Sequence, residues 1–189
     1  MTADGLEALL AERGALLTGH FRLSSGRHSD RFIQKFRILE DPRLVTPLAQ
    51  SLAARTRAFE PAVVVSAAVG GIVLGYEVAR QLGTKAIFVE KEDSVAKLRR
   101  GFALGPGDRA LVVEDVVTTG KSVREVLDVV AARGAQTVAV GVIVRRQPRE
   151  FGVPTIALLD LPVLSFDPSE CPQCEAGEAL TEPGSRFLV

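Results

Sequence analysis

Leu111-Val112-Val113-Glu114-Asp115-Val116-Val117-Thr118-Thr119-Gly120-Lys121-Ser122 is the most informative stretch of this 189-residue sequence. An apolar strand here delivers two adjacent carboxylates, Glu114 and Asp115, to its C-terminal end, the edge at which open α/β sheets bind ligands. The polarity then reverses. Thr118, Thr119, Gly120 and Ser122 offer hydroxyls and exposed backbone N–H groups at the start of a helix, an arrangement that cradles a phosphate by hydrogen bonds and dipole. A lone phosphate would be repelled by the two acids, so the pair makes sense facing groups that need acceptors, such as the hydroxyls of a ribose. A sugar phosphate meets both demands. The glycine-rich pattern of a Walker loop is absent. Taken separately, the acids read as a solvated strand end and Thr-Thr-Gly as an ordinary turn; only the assembled stretch points to a site.

Working outward, short Val/Ile/Ala runs alternate with helical patterns: 62–65 before 71–82, 86–89 before a loop, 110–113 before 122–132, and a further run at 138–144. Such alternation predicts an α/β protein with a mostly parallel sheet flanked by helices on both faces. Ser122 with Glu125 three residues later reads as a capping box, and Gly83 and Gly134 stand at expected helix stops. Asp41 followed by Pro42 opens a helix that runs through Leu52 toward Arg57. Leu6, Leu9, Leu10, Leu16 and Leu17 recur at helical spacing, predicting a first amphipathic helix interrupted near Gly14 and serving as a lid or dimer element. Between His20 and Phe36, β-like stretches at 21–23 and 32–33 flank the polar turn 24–30. Beyond Leu161 the Pro-, Gly- and Glu-rich segment reads as irregular.

The length fits one domain. Hydrophobic residues make up 47% and aromatics only 5%, so the core must be built from Ala, Val, Leu and Ile. Lys plus Arg (23) equals Asp plus Glu (23), and this balance calls for neither a nucleic acid nor an anionic membrane as partner. No apolar run approaches the roughly 18 residues that span a bilayer, and Met1-Thr2-Ala3-Asp4 lacks the order of a signal peptide; the expected location is the cytoplasm. Two cysteines, Cys171 and Cys174, form a single CxxC, half of an ordinary zinc site. An inert turn, a disulfide and a metal knuckle between subunits are all open for it, and no dedicated metal site is expected.

The stretch 111–122 resembles the phosphoribosyl pyrophosphate signature of type I phosphoribosyltransferases: apolar residues, two acids, two apolar residues, then Thr-Thr-Gly-x-Ser. The resemblance implies that family's fold. It gives Glu114 and Asp115 the ribose 2′ and 3′ hydroxyls, and gives the loop Thr118, Thr119, Gly120, Lys121 and Ser122 the 5′-phosphate, with Val116 and Val117 between them. Ser66-Ala67-Ala68-Val69-Gly70-Gly71, small residues leading from strand to helix, occupies the place of the family's pyrophosphate loop, so Ala68, Val69, Gly70 and Gly71 are expected there. His20 to Ser29 resembles the N-terminal strand-turn of the orotate phosphoribosyltransferases, in which a small hood covers the acceptor base. Ser25 and Gly26 match, whereas Ser24 stands where Lys is common and Phe32-Ile33 where an aromatic pair is common. The implied organisation is a hood at 1–40, an α/β core at 41–160 and an irregular C-terminal segment at 161–189 that contributes to the hood.

Arg146 aligns with the arginine that grips the orotate carboxylate in these enzymes, a task suited to a guanidinium fork. Thr118 joins Ser25, Gly26 and Arg146 on the orotate side. Arg145 replaces the usual Asp, which leaves open which arginine points inward. Lys91 to Gly101, rich in charge and poor in core residues, should be mobile and resembles the family's catalytic loop; Lys91, Lys97, Arg99 and Arg100 are its candidates for neutralising the departing pyrophosphate across a homodimer interface. Magnesium is expected on the substrate's pyrophosphate, largely hydrated, which needs no dedicated cage. The implied reaction is transfer of phosphoribose from phosphoribosyl pyrophosphate to N1 of orotate. A purine phosphoribosyltransferase would share the donor motif but not explain the 24–29 turn and Arg146. A regulator binding RNA or DNA on this fold would call for a basic surface that the neutral balance does not supply.

Overall fold

The computed structural model describes residues 2–23 and 25–183; Ser24, a departure from the resembled turn, lies outside the described residues. In chain order the elements are α1 (Ala3–Glu12), β1 (Leu16–Arg22), β2 (His28–Ile33), α2 (Phe36–Leu39), α3 (Pro42–Thr56), β3 (Val63–Ala67), α4 (Gly70–Leu82) and β4 (Lys85–Glu92). They continue with β5 (Val95–Leu98), β6 (Arg109–Val117), α5 (Lys121–Ala132), β7 (Gln136–Arg145), β8 (Thr155–Asp160) and α6 (Pro172–Glu175).

Strands β3 to β8 form one sheet in the order β5-β4-β3-β6-β7-β8, parallel throughout except for β5, which runs antiparallel beside β4. Alternate residues feed opposite faces, as the strand's period of two requires. Val64, Leu111 and Val113 join Leu48, Leu52 and Leu74 of α3 and α4 on one side. Val63, Val65, Ala110 and Val112 join Val123, Val126 and Val130 of α5 on the other. Both faces are thus covered by helices, which is why the strands read as continuous apolar runs. Helix α3 turns one stripe inward, Leu44, Val45, Leu48, Ala49, Leu52, Ala53 and Thr56, and Asp41 caps it by accepting from the Arg43 N–H at 2.9 Å.

From β3 the chain first steps to β4 on one side, then crosses to β6 on the other. The C-terminal ends of β3 and β6 therefore flank a topological switch point, the crevice where such sheets hold ligands. A separate antiparallel hairpin, β1 with β2, stands apart from this sheet and is tied to the C-terminal segment by Phe21–Thr181 and His28–Phe166 bridges.

Several sequence expectations are corrected. Leu16 and Leu17 lie in β1, because α1 ends at Glu12 and Gly14 takes φ +64° to turn the chain. Helix α1 turns Leu6 and Leu10, each 1% exposed, into the core. The polar turn is shorter than 24–30, since β2 already begins at His28. Residues 91–101 do not form a loose loop. Lys91 and Glu92 extend β4, Asp93 and Ser94 turn with positive φ, and β5 returns, so most of the segment is a hairpin. Its charges are mutually satisfied, Lys97–Glu92 at 2.7 Å and Arg100–Glu90 at 2.8 Å. Strand β8 was not anticipated. Among the described residues beyond Leu161, the chain is largely irregular apart from a 3-10 turn at Pro168–Glu170 and the short α6.

Candidate active site

Strand β6 carries Glu114 and Asp115 into the crevice, and both side chains are buried despite their charge. Local hydrogen bonds orient them: the Asp115 N–H donates to Glu114 Oε1 at 3.0 Å and the Val116 N–H to Asp115 Oδ1 at 2.6 Å. From just after β2, Lys35 reaches 80 residues along the chain to donate to Asp115 Oδ1 at 3.4 Å. Lys35 Nζ lies 3.1 Å from Oδ2, but outside hydrogen-bond geometry, so this buried oxygen keeps its acceptor capacity for another donor. Burial pushes the Glu114 carboxyl up to about 7, reinforced by the neighbouring Asp115 charge and opposed by the Asp115 N–H, Lys35 and the Ser122 hydroxyl. A carboxyl so perturbed in a crevice is a candidate functional position.

Across the switch point, the β3–α4 turn presents backbone to the same acids. A Cβ on Gly70 would fall 2.2 Å from Asp115 Oδ2 and 3.0 Å from Lys35 Nζ. One on Gly71 would fall 3.2 Å from Ser66 Cβ and 3.6 Å from Glu114 Oε1. Glycine at 70 is therefore required by close approach to the acid, whatever it does for an anion. Ala68 and Val69 lead into this turn, with Val69 the most exposed large apolar residue among the described residues at 73%.

Gly120, not Ser122, caps α5: it adopts the left-handed conformation at φ +76°, and no side chain caps the helix. The expected capping box does not form because Ser122 lies inside α5, and Glu125 pairs instead with Lys91 Nζ at 2.9 Å. A helix start left uncapped by side chains keeps its N–H groups for an incoming anion. Thr118, Thr119 and Lys121 are exposed around it and Ser122 half-buried. The loop is braced from behind. A Cβ on Gly120 would meet the Phe151 ring at 2.9 Å, Arg124 stacks 5.3 Å over that ring, and Arg149 donates to the Thr118 carbonyl at 3.3 Å.

Strand β7 ends beside β6, with Arg145 paired to Val117 in register. The two arginines have opposite fates. Arg145 is locked to Asp160 through Nε–Oδ1 at 2.5 Å and a second bond at 2.9 Å. The Arg146 N–H donates to the Val117 carbonyl at 2.9 Å, which fixes its Cα against the site strand. Burial pushes the Arg146 guanidinium down from its ordinary value, partly offset by the charge of Asp30, and among the described residues no carboxylate pairs with it. Its fork is free and partly desolvated.

The remaining candidates gather less tightly. Ser25 and Gly26 sit at the tip of the β1–β2 hairpin, where Gly26 takes φ +82° and Ser25 Oγ accepts weakly from the Arg27 N–H at 3.4 Å. Lys91 reaches α5 through Glu125. Arg99 pairs with Glu92 at 3.0 Å, so Lys97, Arg99 and Arg100 are held on their own hairpin by Glu90 and Glu92 rather than delivered to the acids.

Lys35 and Asp30 were missed; neither has a sequence signal, because only the hairpin's return brings them to the acids and to Arg146. His20 and His28 stand beside Cys171 and Cys174, the single CxxC, with the four side-chain ligand atoms all within 4.8 Å of one another.

This architecture, with two acids beside an uncapped helix start at the switch point of a mostly parallel sheet, has counterparts of known class. Residues 37–153 match the phosphoribosyl transferase domain, and the chain belongs to that family. An orotate phosphoribosyltransferase of Pelotomaculum thermopropionicum is 47% identical over 190 residues, covering 100% of both chains. The chain thus falls among the orotate phosphoribosyltransferases of the family. The crystal structure of the Aeropyrum pernix orotate phosphoribosyltransferase superposes with a TM-score of 0.69 at 26% identity, covering 82% of this chain and 92% of that one. An adenine phosphoribosyltransferase from Rhodothermus marinus also shares the fold, with a TM-score of 0.64 at 23% identity over 85% of this chain and all of that one. Fold alone therefore does not choose the base.

Proposed function

We infer that this chain transfers the 5-phosphoribosyl group of phosphoribosyl pyrophosphate to N1 of orotate, giving orotidine 5′-monophosphate and pyrophosphate in pyrimidine biosynthesis. The observation that carries the choice of base is Arg146, a partly buried guanidinium anchored beside the site strand at Val117, which pairs with no carboxylate among the described residues. A desolvated, unpaired fork favours a planar anionic acceptor, and a purine would leave it unsatisfied.

On this reading Glu114 and Asp115 accept from the ribose hydroxyls, the α5 start with Thr118, Thr119, Gly120, Lys121 and Ser122 binds the 5′-phosphate, and the backbone of Ala68, Val69, Gly70 and Gly71 faces the pyrophosphate. Lys35 holds the Asp115 side chain in place. The reaction is displacement at the anomeric carbon with inversion. The C–O bond to pyrophosphate breaks as N1 of orotate bonds from the opposite face, so the protein's work is positioning and charge stabilisation. Lys91, Lys97, Arg99 and Arg100 would meet the leaving group by exchanging their glutamate partners for phosphate oxygens.

Phosphoribosyltransferases are generally magnesium-dependent, and this site fits an ion carried in by substrate: Asp115 Oδ2 is a carboxylate oxygen without a hydrogen-bond donor, and hydrated Mg2+ needs few protein ligands. When bound, the ion would neutralise the pyrophosphate. Mixed with phosphoribosyl pyrophosphate and magnesium, the protein should consume orotate, read as loss of its ultraviolet absorbance, and leave adenine, guanine and hypoxanthine untouched. Turnover of a purine instead would sink the base assignment.

The protein is expected to act as a homodimer. Val69, Val73 and Tyr76 expose 73%, 46% and 66% of their surface along the start of α4, beside a groove lined by Leu39, Val45 and Ile72. A contiguous apolar face of this kind marks an association surface. Light scattering should return twice the chain mass, and Tyr76→Glu should halve it; a native protein of single-chain mass would remove this reading.

A further inference from the structure

We propose that His20, His28, Cys171 and Cys174 form a structural zinc site that clamps the N-terminal hairpin to the C-terminal segment. His20 Nε2 lies 3.1 Å from His28 Nδ1, 3.5 Å from Cys171 Sγ and 3.6 Å from Cys174 Sγ, and Cys174 Sγ lies 3.2 Å from His28 Nδ1. With Zn–N near 2.0–2.1 Å and Zn–S near 2.3 Å, a regular tetrahedron separates N from N by about 3.3 Å and N from S by about 3.6 Å. Four of the six pairs already stand near these spacings and all six lie within 4.8 Å, the ligands coming together from three chain segments.

The surroundings prepare the ligands. His20 Nδ1 lies 3.0 Å from the Glu178 carbonyl, which accepts only from a protonated ring nitrogen. That bond fixes the proton on Nδ1 and leaves the Nε2 lone pair facing the cluster, the outer-shell arrangement that orients a metal-bound imidazole. The turn that follows the CxxC delivers this carbonyl: Gly177 takes φ +70° and donates to the Cys174 carbonyl at 3.0 Å, and the Glu178 N–H donates to the Gln173 carbonyl at 2.9 Å. One short segment thus contributes both thiols and the group that orients His20.

Charge and ligand type select the ion. His20, His28 and Cys171 are 4%, 5% and 1% exposed, and no carboxylate belongs to the set. A tetrahedral N2S2 set suits zinc and disfavours magnesium or calcium. Zn2+ displaces the two thiol protons to solvent, and two thiolates with one dication give a neutral buried centre, which low-dielectric surroundings tolerate. Cys174, the exposed member, leaves a path for the ion to enter. Four protein ligands complete the tetrahedron, so the site is structural, with no open position for catalysis. His20 and Cys171 are 151 residues apart in sequence, and the same contact zone holds the Phe21–Thr181 and His28–Phe166 bridges. A metal here closes the hood that carries Ser25 and Gly26.

The full-length protein, expressed in zinc-supplemented medium and purified without chelator, should contain roughly one zinc per chain by plasma mass spectrometry, as a closed site requires. Cys174→Ser should lower the retained zinc by about tenfold or more. Exchange of the native protein with Co2+ should give the intense visible bands of tetrahedral cobalt together with thiolate-to-cobalt charge transfer; this readout needs no variant and survives if Cys174→Ser fails to fold. Each of these results is independent of whether orotate is the substrate. Protein that neither carries zinc nor takes up cobalt in tetrahedral form would overturn the proposal. So would a Cys171–Cys174 disulfide in freshly purified material, or full zinc retention by a folded Cys174→Ser variant.

Discussion

Arg146→Ala should lower kcat/KM for orotate by about 10²–10³-fold while leaving the affinity for phosphoribosyl pyrophosphate nearly unchanged. Truncating one partner of a desolvated charge pair costs about 2–5 kcal/mol, most of it from the other charge being left buried without a partner. Arg146 meets the conditions for the middle of that range: it is partly buried, anchored through its own N–H to Val117, and, among the described residues, in no ion pair with a carboxylate, although the charge of Asp30 acts on it. Arg146→Lys should recover only part of the loss, because an ammonium offers a point charge and not a two-pronged fork. Arg145→Ala is the informative comparison. Arg145 spends both arms on Asp160, so its removal should change kcat/KM by less than about threefold, in the range of a surface ion pair. Steady-state kinetics on the three variants, with donor affinity measured by calorimetry, decide the matter; a larger loss at Arg145 than at Arg146 would reverse the assignment.

The same pair of arginines shows where sequence reading stops. Arg145 closes β7 and Arg146 is the first residue beyond it, so which of the two is free for the site depends on Asp160, contributed by β8, a strand without a clear sequence signal. The α/β core was legible because each buried strand is a continuous apolar run and each helix has its own stripe, both local signals. The phosphate loop was legible for the same reason, as twelve consecutive residues. The 91–98 hairpin was hidden because its side chains are largely charged, with Lys97, Arg99 and Arg100 set against Glu90 and Glu92, and charges carry no period-two apolar signature. Leu16 and Leu17 fell on helical spacing by coincidence across Gly14. Lys35 and the His20–His28–Cys171–Cys174 cluster are products of chain return alone: His20 and His28 meet because a hairpin folds between them, and the cysteines join from the far end of the chain.

Glu114→Gln should damage activity and strengthen the fold, and the two effects should part company with pH. Burial and the Asp115 charge raise the Glu114 carboxyl from 4.5 to about 7. Between those values the folded protein holds a proton that the unfolded chain has released. Stability therefore falls as pH rises through this window, and the cost is fully present above about 7. A shift of this size corresponds to no more than about 3 kcal/mol. Glutamine keeps an oxygen for the Asp115 N–H while removing the charge. At pH 8 the variant should therefore melt about 3–8 °C higher than the native protein, with the advantage gone near pH 4, where glutamate is protonated in both states. Activity runs the other way. An ionised acceptor for a ribose hydroxyl is worth about 1.5–3 kcal/mol, so kcat/KM for phosphoribosyl pyrophosphate at pH 8 should drop about 10–100-fold. In the native enzyme that constant should decline below about pH 7 as Glu114 takes up its proton, since kcat/KM reports ionisations of the free enzyme, and the decline should flatten in Glu114→Gln. Calorimetric melting at several pH values beside pH–rate profiles tests both halves. A variant less stable than the native protein at pH 8 would mean that the buried carboxylate holds the fold together. One more stable but fully active would mean that the crevice binds its sugar without this acid.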